Sequence, residues 1–245
     1  MLVLAGPGSG KTRVITHRIA YIVRKLGISP RLIMAVTFTN KAAGEMRSRL
    51  QAILGQRAEE LTLGTFHAIC ARILRIEGKN IGLDSQFVIY DDDDQINLLK
   101  QAIQLENVDP KRFTPRAIQS AISAAKSQMV RVQDYAQRRH SYADEIIHRV
   151  YQRYQELLQQ SQALDFDDLL LRTVYLFQEH PEVLAKYQSR YIHVLIDEFQ
   201  DTNITQYALA RHIAGKYRNI CVVGDPDQSI YSWRHADIRN ILSFE

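Results

Sequence analysis

Residues 5–12 read Ala-Gly-Pro-Gly-Ser-Gly-Lys-Thr, three glycines closing on a lysine and a threonine. Glycines at Gly6, Gly8 and Gly10 let the backbone turn tightly and present its N–H groups. A helix opening at Lys11 adds its own unpaired N–H groups and the positive end of its dipole. A loop of this kind binds phosphate. Gly6, Gly8, Ser9 and Gly10 would form the cradle, Lys11 would reach the β- and γ-phosphates, and Thr12 would offer its hydroxyl to Mg²⁺. The strict pattern begins with glycine, and here Ala5 holds that place. The second pair with chemical potential is Asp197-Glu198, directly after the apolar run Val194-Leu195-Ile196. Asp197 would hold Mg²⁺ through water, and Glu198 would act as general base on an attacking water. Two acids at a strand end are common on their own. Together with the phosphate loop they make half of an ATP-hydrolysing site, with ATP and Mg²⁺ as its cofactors.

Such groups need rigid elements to hold them. Leu2–Ala5, Leu32–Thr37, Leu61–Thr65, His193–Asp197 and Ile220–Gly224 are short, apolar and rich in Val, Ile and Leu, which predicts strands. Helical periods follow four of them: Lys11–Leu26, Asn40–Leu54, Phe66–Glu77 and Asn203–Ala214. Strand–helix alternation implies an α/β fold, a parallel sheet with helices on both faces. The middle differs. From Asp91 to Gln188 the pattern is mostly helical, with one possible strand just before it at Phe87–Tyr90. Pro115–Ser127, Tyr142–Gln160 and Asp165–Glu179 read as helices, and Pro110, Pro115 and Pro181 mark helix starts. The predicted layout is therefore an ATP-binding domain in two parts, 1–85 and 186–245, split by a helical insertion at 86–185.

The 245 residues suffice for one large domain or two modest ones, and 46% hydrophobic with 24% charged residues is an ordinary globular composition. No apolar run is long enough to span a membrane, and the apolar start at Met1–Leu4 lacks the features of a signal peptide. Cys70 and Cys221 lie in apolar contexts and read as buried reduced thiols, which suggests a cytoplasmic location. The net charge of +4 is weakly informative. Its distribution says more: between Lys111 and Arg153 stand nine Lys/Arg against Asp134, Asp144 and Glu145. That stretch fits a solvated helical face and a duplex-facing surface equally well.

Asp197-Glu198-Phe199-Gln200-Asp201-Thr202-Asn203 resembles the DEXQDTN motif of UvrD/Rep/PcrA-type superfamily 1 DNA helicases. Residues 5–23, 36–50, 64–75 and 222–245 resemble, in order, that family's Walker A segment, motif Ia, motif Ib and motif III, and Leu164–Leu171 (LDFDDLLL) is also typical of it. The resemblance runs the length of the chain. It implies a RecA-like P-loop fold and the motor of an ATP-dependent 3′–5′ DNA helicase of repair or replication. It also implies that Gln228 senses the γ-phosphate, so that Lys11, Glu198 and Gln228 form the catalytic set, and that Arg13 lies against the adenine. Phe38, Tyr231 and Trp233 are expected near single-stranded DNA, where an aromatic ring stacks on any base. Thr39, Asn40, Thr65, His67 and Arg234 are counted with them as polar or charged contacts to the strand. Phe38 and Phe66 also fit core packing, Phe66 better than it fits a contact, and His67 fits an internal hydrogen bond equally well. The partners implied are single-stranded DNA and its junctions with duplex, with no membrane.

The chain departs from the family pattern at His235, where the family has glycine. The family's segment before the Walker A strand, with its adenine-reading glutamine, is not in this sequence, and neither is the second RecA-like domain with its arginines. An arginine finger contributes about 10³–10⁵ in rate, so the expectation is a chain that binds ATP weakly and turns it over very slowly. Two other readings stand beside the motor: a fragment of a RecB/AddA-type helicase–nuclease, and a catalytically silent DNA-binding module.

Overall fold

The computed structural model describes residues 1–138, 141–229, 236–242 and 244. The chain forms two compact units, one of Met1–Cys70 with Val174–Glu245 and the other of Ala71–Thr173. The first holds strands β1 (Leu2–Leu4), β2 (Ile33–Thr37) and β3 (Thr62–Thr65), with α1 (Lys11–Arg24), α2 (Asn40–Leu54) and the start of α3 (Phe66–Glu77) following each in turn. The second holds β4 (Val88–Ile89), α4 (Asp92–Leu105), α5 (Pro115–Ser127), α6 (Val132–Tyr135), α7 (Tyr142–Gln160), β5 (Ala163–Leu164) and most of α8 (Phe166–Glu179). The chain then returns to the first unit through α9 (Pro181–Arg190), β6 (His193–Ile196), α10 (Ile204–Ala214), β7 (Ile220–Gly224) and α11 (Arg239–Leu242).

The first unit is an α/β domain around a five-stranded sheet of order β1-β7-β6-β2-β3. Every pairing in it is parallel. All five residues of β2 are buried, the mark of a central strand covered on both faces. Ile33 and Ala35 point into a core shared with Ile15, Ile19 and Val23 of α1 and Met46 and Leu50 of α2. The alternate residues Met34 and Val36 are equally buried, as the period of two requires for the opposite face. The helical period of α1 therefore does what the sequence predicts. It lays one apolar stripe on the sheet and keeps Lys11, at its start, over the strand ends.

The second unit packs α4, α5 and α7 around Leu99, Ile118, Ile122, Val150, Tyr151 and Tyr154. Three features differ from the sequence reading. The insertion, expected at 86–185, corresponds to a compact unit of 71–173, with the division falling inside α3 and α8. A second strand, β5, pairs in parallel with β4. Pro110 sits in a turn, and the helix begins at Pro115, where proline occupies the first position. At that position the missing N–H costs nothing.

The LDFDDLLL segment forms a buried ionic cluster. The Asp165 carboxylate accepts from the backbone N–H of Asp168 at 2.8 Å and so caps the start of α8. The same residue accepts from Lys126 Nζ at 2.6 Å and from the Tyr154 hydroxyl at 3.0 Å, and Lys126 also lies 2.9 Å from Asp168 Oδ1. Lys126 is 1% exposed. Arg149 and Arg153 pair with Glu106, and Arg153 pairs also with Glu156. Lys126, Arg149 and Arg153, among the cations counted between Lys111 and Arg153, are thus engaged by acids that lie outside that window. Lys111, Arg112 and Arg116 remain at the surface. Among the described residues no helix is long and apolar enough to cross a membrane. Cys70 and Cys221 are both buried and form no disulfide.

Candidate nucleotide and DNA site

Parallel strands end on one edge, so the segments after each strand of the sheet meet there. The phosphate-type loop follows β1, Asp225 follows β7, and Asp197-Glu198 follows β6; these three strands are consecutive neighbours in the sheet. Residues 38–40 follow β2 and 66–67 follow β3, further along the same edge.

The loop has the backbone that its glycines permit. Gly8 and Gly10 have φ of 69° and 87°, a region that side chains disfavour. The Ser9 hydroxyl and amide both donate to the carbonyl of Gly6, at 2.6 and 3.3 Å. Gly10 is the N-cap of α1 and caps it with no side chain. The first N–H groups of that helix are therefore not taken by a capping side chain, and they make an anion-binding end.

Lys11 is 8% exposed, and its ammonium lies 3.8 Å from Asp225 Oδ2. The Thr12 hydroxyl lies near enough to the Asp197 carboxylate to favour its charged form. Burial pushes the Asp197 carboxyl above the ordinary range. The Thr12 hydroxyl, the Glu198 N–H and the charge of Lys11 oppose that shift, and the charge of Glu198 adds to it. The loop and the acidic strand end thus face one another. Two hard oxygen donors, the Thr12 hydroxyl and the Asp197 carboxylate, are near each other. That set fits Mg²⁺, which takes one or two protein oxygens and fills its octahedron with water and phosphate.

Glu198 has φ of 50°, the left-handed region, and its half-buried side chain accepts from Gln200 Nε2 at 2.8 Å. Gln228 donates through Nε2 to Asp225 Oδ2. Lys11, Glu198, Gln228, Thr12 and Asp197 are therefore gathered at one place. Arg13 is exposed at the first turn of α1.

The residues expected at DNA are placed by α2 and α3. The Thr39 hydroxyl caps α2 by accepting from Ala42 N at 3.1 Å, and Thr65 accepts from Ala68 N at 3.2 Å at the start of α3. Each hydroxyl keeps its own hydrogen for donation. Asn40 is exposed, Phe38 and His67 are half-buried, and Phe66 is 7% exposed, in the core as its apolar setting predicts. Tyr231, Trp233 and Arg234, with the departure at His235, lie outside the described residues.

The sequence reading missed two residues of this cluster. Asp225 holds Lys11 and Gln228, and Gln200 bridges Glu198 to the backbone of Asp225. Both stand inside motifs already quoted for the resemblance. Only the adjacency of β6 and β7 gives them partners.

A phosphate-type loop before a helix, facing an acid at the tip of another parallel strand of the same sheet, defines the P-loop class of α/β domains. The family model of the UvrD/REP helicase N-terminal domain matches residues 1–245, and the chain belongs to that family. It is 47% identical over its whole length to the ATP-dependent DNA helicase PcrA of Bacillus subtilis, of which it covers 33%. It is likewise 47% identical to PcrA of Staphylococcus aureus strain Mu50, covering 34%, and 46% identical to PcrA of Staphylococcus epidermidis, covering 34%. The chain therefore spans about a third of the length of the curated relatives it matches.

Proposed function

We propose that this chain is the first motor domain of an ATP-dependent 3′–5′ DNA helicase, binding ATP with Mg²⁺ and gripping single-stranded DNA along one edge of its sheet. The observation that carries the reading is the buried ion pair of Lys11 with Asp225, where the loop after β1 meets the acidic ends of β7 and β6.

In this reading the N–H groups of Gly6, Gly8, Ser9 and Gly10 hold the phosphates and Lys11 balances their charge. Thr12 and Asp197 hold Mg²⁺, which when bound neutralises charge on the transferred phosphoryl group. Glu198 takes a proton from the attacking water, and Gln228 contacts the γ-phosphate. Arg13 lies beside the base. Phe38, Tyr231 and Trp233 stack on DNA bases, and Thr39, Asn40, Thr65, His67 and Arg234 hold the strand. The helical insertion, at 86–185 or the compact 71–173, guides single strand and duplex at their junction.

Lys11→Ala tests the reading. Loss of a charge-assisted contact worth about 1.5–3 kcal/mol predicts a fall in affinity for ATP of about 10- to 100-fold. Binding of single-stranded DNA in the absence of nucleotide should be retained. Nucleotide titration against the wild type checks it. Unchanged ATP affinity would reject the site, and DNA binding indifferent to nucleotide in both proteins would favour the silent binding module.

A further inference from the structure

We infer that Gln200 is a positioning residue that fixes the Glu198 carboxylate and ties it to the end of β7. The inference rests on the reading of Glu198 as the group that activates water. Gln200 is 1% exposed. Its amide nitrogen donates to Glu198 Oε2 at 2.8 Å and to Asp201 Oδ2 at 3.3 Å, while its oxygen accepts from the backbone N–H of Asp225 at 3.0 Å. A primary amide has two donors and one carbonyl acceptor, and here both ends are engaged. Turned over, the amide would set its oxygen against two carboxylates and its NH₂ against an N–H. Its neighbours therefore fix its orientation.

The space around it is cut to the same purpose. A Cβ added at Gly224 would lie 2.6 Å from Gln200 Oε1 and 2.7 Å from Ile241 Cδ1. Only a residue without a side chain lets the amide reach across to β7. A glutamate carboxylate turns on three torsions, and one held at one oxygen by a rigid donor keeps a single position for an attacking water.

The second arm leads to the phosphate end. The carboxylate of Asp225, whose N–H binds Gln200, is the partner of both Lys11 and Gln228. A shift of Asp225 when Lys11 takes up a phosphate therefore reaches Glu198 through one side chain. A purely structural bridge between β6 and β7 would act on stability and nucleotide affinity together. A positioning residue acts on rate and does so only through Glu198.

The experiment uses the 245-residue chain with Glu198→Gln, with Gln200→Met (similar length, no donor) and with both. Fluorescent-ATP titration gives affinity, and single-turnover hydrolysis with chain in excess gives the chemical rate at any speed. The expected result is a rate about 10- to 100-fold lower for Gln200→Met, a nearly unchanged affinity, and no further loss when Glu198→Gln is already present. A normal rate in Gln200→Met overturns the inference. So does an equal fold-loss in both backgrounds, or a fall in affinity that matches the fall in rate. Should Gln200→Met fail to fold, Gln200→Glu, which keeps the volume and removes the donor, is held to the same pattern. If Glu198→Gln alone leaves the rate intact, the reading of Glu198 fails and the inference falls with it. A loss in Glu198→Gln without one in Gln200→Met overturns the inference alone.

Discussion

Thr12 stands between the two halves of the proposed nucleotide site, because its hydroxyl lies near the Asp197 carboxylate and favours its charged form. A buried carboxylate whose ordinary range is already disturbed by burial depends on such donors. Thr12→Val keeps the shape and removes the hydroxyl. The expected outcome is a loss of about 10- to 100-fold in Mg²⁺-dependent ATP affinity, the size of one polar contact to a charged group. Affinity measured in a chelator should hardly move. Equal losses with and without Mg²⁺ would show that Thr12 serves the loop and not the metal. At this scale the sequence was informative wherever a residue follows an apolar run directly: Lys11, Thr12, Asp197 and Glu198 could be placed by chain order. Gln200 and Asp225 could not, because their partners come from a neighbouring strand whose adjacency no local pattern encodes.

Among the elements, the start of α8 carries the clearest stability argument. Lys126 faces Asp165 and Asp168 inside the second unit, with the rings of Tyr151 and Tyr154 beside it at 5.9 and 5.5 Å. Lys126→Met leaves two buried carboxylates without their cation, which is predicted to cost about 3–5 kcal/mol in chemical denaturation. A cost under about 1 kcal/mol would mean that the charges are already neutralised by protonation. Burial and the charge of Asp168 outweigh Lys126 and push the Asp165 carboxyl up to about 6. Its folded value lies above its unfolded one. Its contribution is therefore fully present below about pH 4 and is lost as pH rises through about 6. The wild type should gain stability relative to Asp165→Asn as pH falls from 7 to 4, read by hydrogen exchange in α7 and α8. A parallel pH dependence in the two proteins would contradict that.

The long helices and the five main strands were legible from their periods of 3.6 and 2. β5 was not, because a pair of residues, Ala163–Leu164, has no period to read. The charge surplus counted between Lys111 and Arg153 is smaller in the fold than in the sequence window. Its balancing acids, Glu106, Glu156, Asp165 and Asp168, come from elsewhere in the sequence.

For the whole molecule, the parallel topology explains why one edge gathers both sets of candidate residues. Five strand ends in the order β1-β7-β6-β2-β3 put nucleotide residues on the first three and the candidate DNA residues on the last two. Movement at one group is then adjacent to the other. The surface of the helical unit makes a separate prediction. Lys111, Arg112 and Arg116 are exposed, and Arg112 stacks over Phe113 and the exposed ring of Tyr142 at 5.7 and 5.4 Å. If these cations meet phosphates, replacing all three by alanine should flatten the dependence of log affinity on log salt for single-stranded DNA by about 2, at roughly 0.7 per phosphate. An unchanged slope would leave them a solvated face.

The left-handed turn at Glu198 has a wider implication. A side chain there costs on the order of 1 kcal/mol that glycine would not, so heat resistance and turnover make opposite demands on one position. A lineage selected for endurance alone would drift toward glycine at that corner. It would keep its architecture while losing the carboxylate proposed to activate water.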